Sequence, residues 1–127
     1  MGHRFEPISA QIIEAAIAVH RALGPGFLEP IYHQAMRVAL GRAGIAYENK
    51  KKVRIHFEDV EVGVHYLDLL VDQQIVVELK AVKAFEDVHF AQVKSYLRAT
   101  GLRVGLLINF NATRLVVKRV VLDRAPY

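Results

Sequence analysis

The segment that most constrains the fold is an apolar run, Ile75 to Val82, that carries two charges. Its β-branched residues are typical of a strand covered on both faces. Because side chains alternate along a strand, Glu78 and Lys80 share one face, while Val77 and Leu79 point to the other. Ionised groups in such a strand cost free energy unless they are paired or bind a metal ion. The chain must therefore form a sheet that accommodates both charges.

A third charge of the same kind lies in the strand predicted just before. Asp68 interrupts an apolar stretch, and a turn at 72–74 separates that strand from the next. The turn would pair Val71 with Ile75. Continuing this register places Asp68 opposite Glu78, with Cβ atoms ~4.5–5.5 Å apart on one face of the sheet. Two carboxylates this close repel each other unless one is protonated or a cation lies between them.

These charges predict a site for phosphodiester hydrolysis. A hard divalent ion with oxygen ligands, Mg²⁺ first and Mn²⁺ as a second possibility, would relieve the repulsion. Such an ion polarises a phosphoryl oxygen and lowers the pKa of a bound water, and Lys80 would orient that water or stabilise charge on the phosphate. The alternative is structural: Lys80 forms an ion pair with Glu78 or Asp68 at a sheet edge. The residues by themselves leave both interpretations open.

The rest of the chain predicts a mixed sheet flanked by helices. Helical spacing of apolar residues indicates three helices, and alternating or continuous apolar residues indicate five strands. Ser9 and Asp87 are the expected N-caps of the first and third helices. The predicted helices span 10–23, 28–43 and 87–100, and the predicted strands span 53–57, 62–71, 75–81, 104–110 and 115–122. The order is α-α-β-β-β-α-β-β, an α/β (mixed α+β) domain whose first three strands form an antiparallel meander.

Two further polar residues lie on predicted helices. Gln92 shares a face of the third helix with Val88, Ser95 and Ala99, which we expect to lie against the sheet, so a buried Gln92 amide would need partners. Glu29 lies in the first turn of the second helix, where the helix dipole favours a carboxylate irrespective of function.

Composition bounds the class of protein. With 127 residues, 53% of them hydrophobic and 24% charged, the sequence predicts one globular domain over 1–127. The absence of cysteine excludes disulfides, thiolate catalysis and Cys-ligated zinc, and favours a cytoplasmic setting. Neither a secretory signal at Met1–Pro7 nor an apolar run of about 18 residues, as a membrane-spanning helix requires, is present.

Basic side chains and histidines are the remaining candidates for contact with a partner or a metal ion. The net charge of +4 suits a nucleic-acid partner, and equally an ordinary soluble surface. The basic cluster at 49–54 is interpreted as a solvated strand edge, with contact to a nucleic-acid backbone as the alternative. The six histidines show no metal-binding spacing, and His20 is expected to be packed and hydrogen-bonded. Because so short a chain has little surface beyond its core, we also expect a homodimer.

Two motifs resemble a known family. Asp68 followed by Glu78-Leu79-Lys80 matches the signature of the PD-(D/E)XK nuclease superfamily, and Gly26–Tyr32 matches the motif of the small group called GxxExxY proteins. The other segments that fit this group, in its order, are Val19-His20, Leu23–Gly26, Asp68–Val71, Val77–Val82, Ala91-Gln92, Ser95–Leu97, Ala99–Gly101 and Leu107–Phe110. The resemblance covers nearly the whole chain and implies a restriction-endonuclease-like core, with a central mixed sheet flanked by helices.

The resemblance also implies roles for individual residues. Asp68 and Glu78 would be metal ligands, with the backbone carbonyl of Leu79 as an extra ligand, and Lys80 would assist the attacking water. Glu29 would complete the site from its helix, and Gln92 matches a recurrent glutamine. The implied function is a Mg²⁺-dependent nuclease, acting on DNA rather than RNA. The alternatives are an inactive module that binds nucleic acid or protein, and a hydrolase of small phosphoesters.

Overall fold

The computed structural model describes residues 7–122 as three helices and five strands. Its elements are α1 (Pro7–Leu23), α2 (Glu29–Arg42), β1 (Tyr47–Phe57), β2 (Val60–Val71), β3 (Ile75–Lys80), α3 (Asp87–Thr100), β4 (Val104–Asn109) and β5 (Val116–Val121). This is the predicted order. The strands form one sheet in the order β1-β2-β3-β4-β5, in which β3 and β4 are parallel and the other neighbours are antiparallel. The prediction that no secretory signal is present falls largely on residues 1–6, which lie outside the described residues.

The predicted starts of α1 and β1 and the two predicted N-caps are wrong. Helix α1 begins at Pro7, so Ser9 lies inside the helix and is buried there instead of capping it. Strand β1 begins at Tyr47, because its polar first half pairs with β2 as a solvated edge that shows no apolar alternation. Glu86 takes the N-cap position of α3 in place of Asp87, and its backbone N–H donates to Nδ1 of His89 at 2.9 Å.

A tight turn fixes the register between β2 and β3. Asp72 and Gln73 both have positive φ, 52° and 57°. Two such central residues form the turn type that best matches the twist of a hairpin. The N–H of Gln74 donates to the Val71 carbonyl at 3.0 Å, and Val71 pairs with Ile75. The predicted register is confirmed.

The sheet separates two hydrophobic layers. Helices α1 and α2 cover one face, where Tyr32 and Met36 are fully buried in the same cluster as Val77 and Leu79. Helix α3 covers the other face. Val77 and Leu79 thus occupy one side of β3, as the alternation in the sequence predicts, which leaves Glu78 and Lys80 for the other.

The predicted inner face of α3 is wrong. The helix buries Val93 and Leu97 against the sheet, whereas Val88, Ser95 and Ala99 are exposed and Gln92 is half-buried. The reason is energetic, since the free energy gained on burial grows with apolar area and favours the larger aliphatic side chains.

One glycine allows α3 to lie close to the sheet. A Cβ atom at Gly105 on β4 would lie 2.7 Å from Val93 Cγ1 and 3.3 Å from the Val76 carbonyl oxygen. Both distances are shorter than ordinary van der Waals contact, so the helix or the strand would have to move.

We therefore expect Gly105→Ala to lower the free energy of unfolding by about 1–3 kcal/mol, the usual cost of overpacking. Urea unfolding measures this effect. Adding Val93→Ala removes the clashing methyl group. The double variant should therefore lose less free energy of unfolding than the sum of the losses in the two single variants. Gly41→Ala in α2, whose Cβ meets nothing within 4 Å, is the matched control and should not destabilise the chain. A Gly105→Ala variant with the same free energy of unfolding as the parent would contradict this close packing.

Candidate active site

Strands β2 and β3 separate at the acidic residues. Their ladder ends at the pair Leu69–Val77, and beyond it side chains replace the backbone pairing. The N–H of Asp68 donates to Oε1 of Glu78 at 3.2 Å, and the N–H of Leu79 donates to Oδ2 of Asp68 at 2.9 Å. Each carboxylate is therefore held by the backbone of the opposite strand. Asp68 and Glu78 are neighbours, as predicted, but they are not the regular ladder pair that the sequence suggested.

The cause lies in the twist of the hairpin formed by β1 and β2. Leu69 packs in the layer beneath α1 and α2, whereas Leu67 packs in the layer beneath α3. Residues two apart in a regular strand share a face, so β2 turns over at Asp68. On β1 the opposite residue, Lys50, has a φ of 53°, and the pair Lys50–Asp68 is absent from the ladder, although the pairs on either side, Asn49–Leu69 and Lys51–Leu67, are present. This half-turn carries β2 away from β3 and opens the gap.

Glu78 is nearly inaccessible, with 6% of its surface exposed. Burial, first, and the negative charge of Asp68 raise its pKa from 4.5 to about 8. The backbone N–H of Asp68 and the charge of Lys80 lower it. The charged form of Glu78 is thus disfavoured by burial and by a second carboxylate, which a cation in the gap would compensate.

The Leu79 carbonyl faces the same gap. A residue in a strand directs its N–H and its C=O to the same neighbour, and the Leu79 N–H points to Asp68 on β2. The next carbonyl, that of Lys80, accepts from the Phe110 N–H at 2.9 Å on the β4 side. Alternation therefore turns the Leu79 oxygen towards Asp68.

Glu29 reaches the site from the first turn of α2. Burial and the charge of Asp68 raise its pKa, whereas the charges of Lys80, Lys50 and His33 lower it. These electrostatic effects place Glu29 in the same cluster as Asp68 and Lys80. Glu29 and Asp68 also line one cavity, so the structure brings these two of the predicted site residues together.

The loop before α2 explains the spacing of the motif that contains Glu29. Tyr32 Oη donates to the Gly24 carbonyl at 2.6 Å and accepts from the Phe27 N–H at 3.1 Å, and its ring stacks on Phe110 with centroids 4.7 Å apart. Gly26 has a φ of 115°, which L-residues rarely adopt. Glycine and tyrosine therefore fix the loop, and the loop fixes the start of the helix at Glu29.

Lys80 is half-buried beside the carboxylates. Its charge lowers the pKa of both Glu78 and Glu29, yet within residues 7–122 it forms no salt bridge. The structural alternative, an ion pair of Lys80 with Glu78 or Asp68, is therefore not observed. The ammonium group lies near the acidic cluster without being held by one carboxylate.

The side facing α3 holds two residues that sequence reasoning missed. Burial and the charges of Glu78 and Asp68 raise the pKa of Tyr96, and His65 stacks on its ring with centroids 3.9 Å apart. Burial lowers the pKa of His65, against the charge of Asp68. Gln92 lies one turn before Tyr96, and in the described part of the chain its amide makes no hydrogen bond. No spacing in the sequence signals the pairing of a strand histidine with a helix tyrosine.

The chemistry of these donors fits a divalent cation. Asp68, Glu78, Glu29 and the Leu79 carbonyl offer only oxygen atoms, which Mg²⁺ and Mn²⁺ prefer, and the raised pKa of Glu78 reflects charge that an ion would neutralise. Within residues 7–122, no three His, Cys, Asp or Glu side chains are already arranged to hold a metal ion. The fit therefore rests on donor type and charge.

The fold and the site define a mixed α/β domain with an acidic cluster where two strands separate. The model of the PD-(D/E)XK nuclease superfamily matches residues 6–120, and the chain belongs to that superfamily, whose members are generally nucleases. The crystal structure of SSO0001 is similar in fold, with a TM-score of 0.58 and 18% identity over 76% of this chain and 50% of that one. The chain thus spans about half the length of that protein.

The search of curated proteins found no match. No helix within residues 7–122 is long and apolar enough to cross a membrane.

The pKa of Glu78 gives a pH-dependent prediction. Because this pKa is raised from 4.5 to about 8 in the folded chain, folding favours the protonated form, and its contribution to stability is lost as pH rises from about 4.5 to about 8. Glu78→Gln does not titrate and keeps an oxygen for the Asp68 N–H. Relative to the parent, the free energy of unfolding of the variant should rise by up to about 5 kcal/mol across this pH range, because each pH unit between the two pKa values contributes about 1.4 kcal/mol.

Urea titrations in EDTA at several pH values measure this difference. Glu58→Gln, at an exposed hairpin turn, is the matched control, and its difference from the parent should not change in this way. A difference between Glu78→Gln and the parent that stays constant from pH 5 to pH 8 would show that Glu78 is not held in this environment.

Proposed function

We propose that the chain is a divalent-metal-dependent nuclease that hydrolyses phosphodiester bonds of nucleic acid, DNA rather than RNA. The observation that carries this proposal is the interlocked pair Asp68 and Glu78 at the separation of β2 from β3, with Lys80 beside it. Membership in the PD-(D/E)XK superfamily supports the reaction class. The narrower assignment to the GxxExxY proteins rests on the motif Gly26–Tyr32 and forms part of the proposal.

Each residue has a proposed role. Asp68, Glu78, the Leu79 carbonyl and Glu29 would hold Mg²⁺ or Mn²⁺. When bound, the ion supplies Lewis-acid activation of the phosphate and of a water molecule. The negative charge of these carboxylates attracts the ion. It also repels other anions from the position that the ion would occupy. These residues are thus proposed to orient the reacting groups around one cation.

Lys80 acts on the reacting atoms. Its ammonium group donates a hydrogen bond to the attacking water or to a phosphate oxygen, on which negative charge grows as the new P–O bond forms. The ester P–O bond then breaks, and the products are a phosphate monoester and a hydroxyl group. The Gln92 amide, which has no partner among the described residues, is proposed to position the water or the phosphate.

Two alternatives keep the same fold. An inactive module would bind nucleic acid or protein with its basic surface, and a hydrolase of small phosphoesters would use the same site on small substrates. The presence of Asp68, Glu78 and Lys80 together, with Glu29 nearby, favours an active nuclease.

Cleavage assays test the proposal. With Mg²⁺ or Mn²⁺ the protein should cleave a panel of single-stranded and duplex DNA, and EDTA should stop cleavage until excess metal is added. Glu78→Ala and Lys80→Ala should lower the rate by about 10²–10³-fold or more, as is usual when a group that stabilises the transition state is removed. Lys94→Ala, which removes an exposed lysine of α3, is the matched control and should cleave like the parent.

The outcomes separate the alternatives. If Glu78→Ala and Lys80→Ala remain folded and cleave as fast as the parent, the proposed chemistry is wrong. DNA binding without cleavage by the parent would favour the inactive module. Turnover of chromogenic phosphodiesters or nucleotides alone would favour the small-phosphoester hydrolase.

A further inference from the structure

Lys50 has an unusual backbone conformation for its position. Five non-glycine residues within 7–122 have positive φ, and four of them form the two-residue hairpin turns at 58–59 and 72–73. Lys50, with a φ of 53°, is the remaining one and lies inside strand β1. A left-handed conformation is unfavourable for a residue with a Cβ and is found preferentially at functional sites. This residue therefore calls for an explanation beyond the hairpin itself.

The conformation directs Lys50 into a cavity next to the carboxylates. Asn49, before it, accepts a hydrogen bond at Oδ1 from Nε2 of the buried His33 of α2, whereas Lys51, after it, pairs with Leu67. Lys50 itself lines a cavity of about 260 Å³ between α2 and the hairpin. The strand thus turns over at Lys50, and this exposed residue forms part of the lining of the cavity.

Acidic and basic side chains line the same cavity. Glu29 and Asp68 are the acidic residues of its lining, and Lys50 and Arg37 are the basic ones. Neither cation forms a salt bridge within the described residues. Arg37 donates from Nη1 to Gln34 Oε1 at 2.9 Å, and its buried Nε has no hydrogen-bond partner. Two cations without a carboxylate partner, held beside a site suited to a metal ion, form a site for an anion.

We propose that Lys50 and Arg37 bind the phosphate adjacent to the one that is cleaved. The inference rests on the proposed nuclease function and specifies its substrate, a nucleic-acid chain with at least two consecutive phosphates. The carboxylates of the cavity hold the metal and the scissile phosphate, and Lys50 and Arg37 hold the neighbouring phosphate of the same strand. The left-handed conformation of Lys50 keeps the ammonium group at this position.

Lys50→Gly separates the charge of the residue from its backbone conformation. Glycine adopts a φ of 53° without strain, so the variant should be at least as resistant to urea as the parent. Loss of the phosphate contact should weaken DNA binding by about 10-fold and lower the slope of log K against log salt by about 0.7–0.9. Lys52→Gly, an exposed lysine in the regular part of β1, is the matched control. It should lose stability and keep the parent's salt slope.

Both changes are introduced into the Glu78→Gln protein, so that fluorescence anisotropy with a short labelled DNA reports binding without cleavage. A lower affinity and salt slope for Lys50→Gly alone would support the proposal. Equal affinities of Lys50→Gly and its parent, equal losses in Lys50→Gly and Lys52→Gly, or no DNA binding by the parent would overturn it. If binding depends on Lys50 but the unmutated chain never cleaves DNA, the phosphate site stands and the nuclease proposal fails. If the unmutated chain cleaves DNA and its binding does not depend on Lys50, the nuclease proposal stands and the phosphate site fails.

Discussion

The structure depends on one exchange of hydrogen bonds. Where β2 leaves β3, the carboxylates of Asp68 and Glu78 accept from backbone N–H groups of the opposite strand, in place of the ladder that ends at Leu69–Val77. The exchange satisfies buried backbone donors that the separation would leave unpaired. It also concentrates negative charge at a buried position. The raised pKa of Glu78 shows that the charged form is disfavoured there. A divalent cation, as proposed above, would neutralise this charge.

Three features of the surrounding fold position the carboxylates at this gap. The tight turn at 72–73 sets the register that brings Asp68 to Glu78, and the left-handed Lys50 turns the hairpin over so that the strands separate there. Tyr32 fixes the loop that delivers Glu29. These features lie far apart in the sequence, yet each acts on the position of one carboxylate. The chain belongs to the PD-(D/E)XK superfamily, whose members are generally nucleases.

Much of this architecture could be predicted from local patterns. The β2–β3 register followed from the turn at 72–74 between two apolar strands, and the faces of β3 followed from alternation. The end of the ladder could not be predicted, because it depends on a left-handed lysine that no residue preference indicates. The inner face of α3 was predicted wrongly, since small residues at helical spacing competed with Val93 and Leu97, and only the assembled core decides which are buried. Tyr96 and His65 meet only through tertiary packing.

The central claim is that the gap between β2 and β3 holds a divalent cation. Anomalous diffraction from crystals soaked in Mn²⁺ tests it most directly. The account predicts one peak within coordination distance of Asp68, Glu78 and the Leu79 carbonyl oxygen, and its loss in crystals of Asp68→Asn grown and soaked in the same way. Crystals with the ion bound elsewhere, or with the two carboxylates turned away from each other and no ion between them, would contradict it.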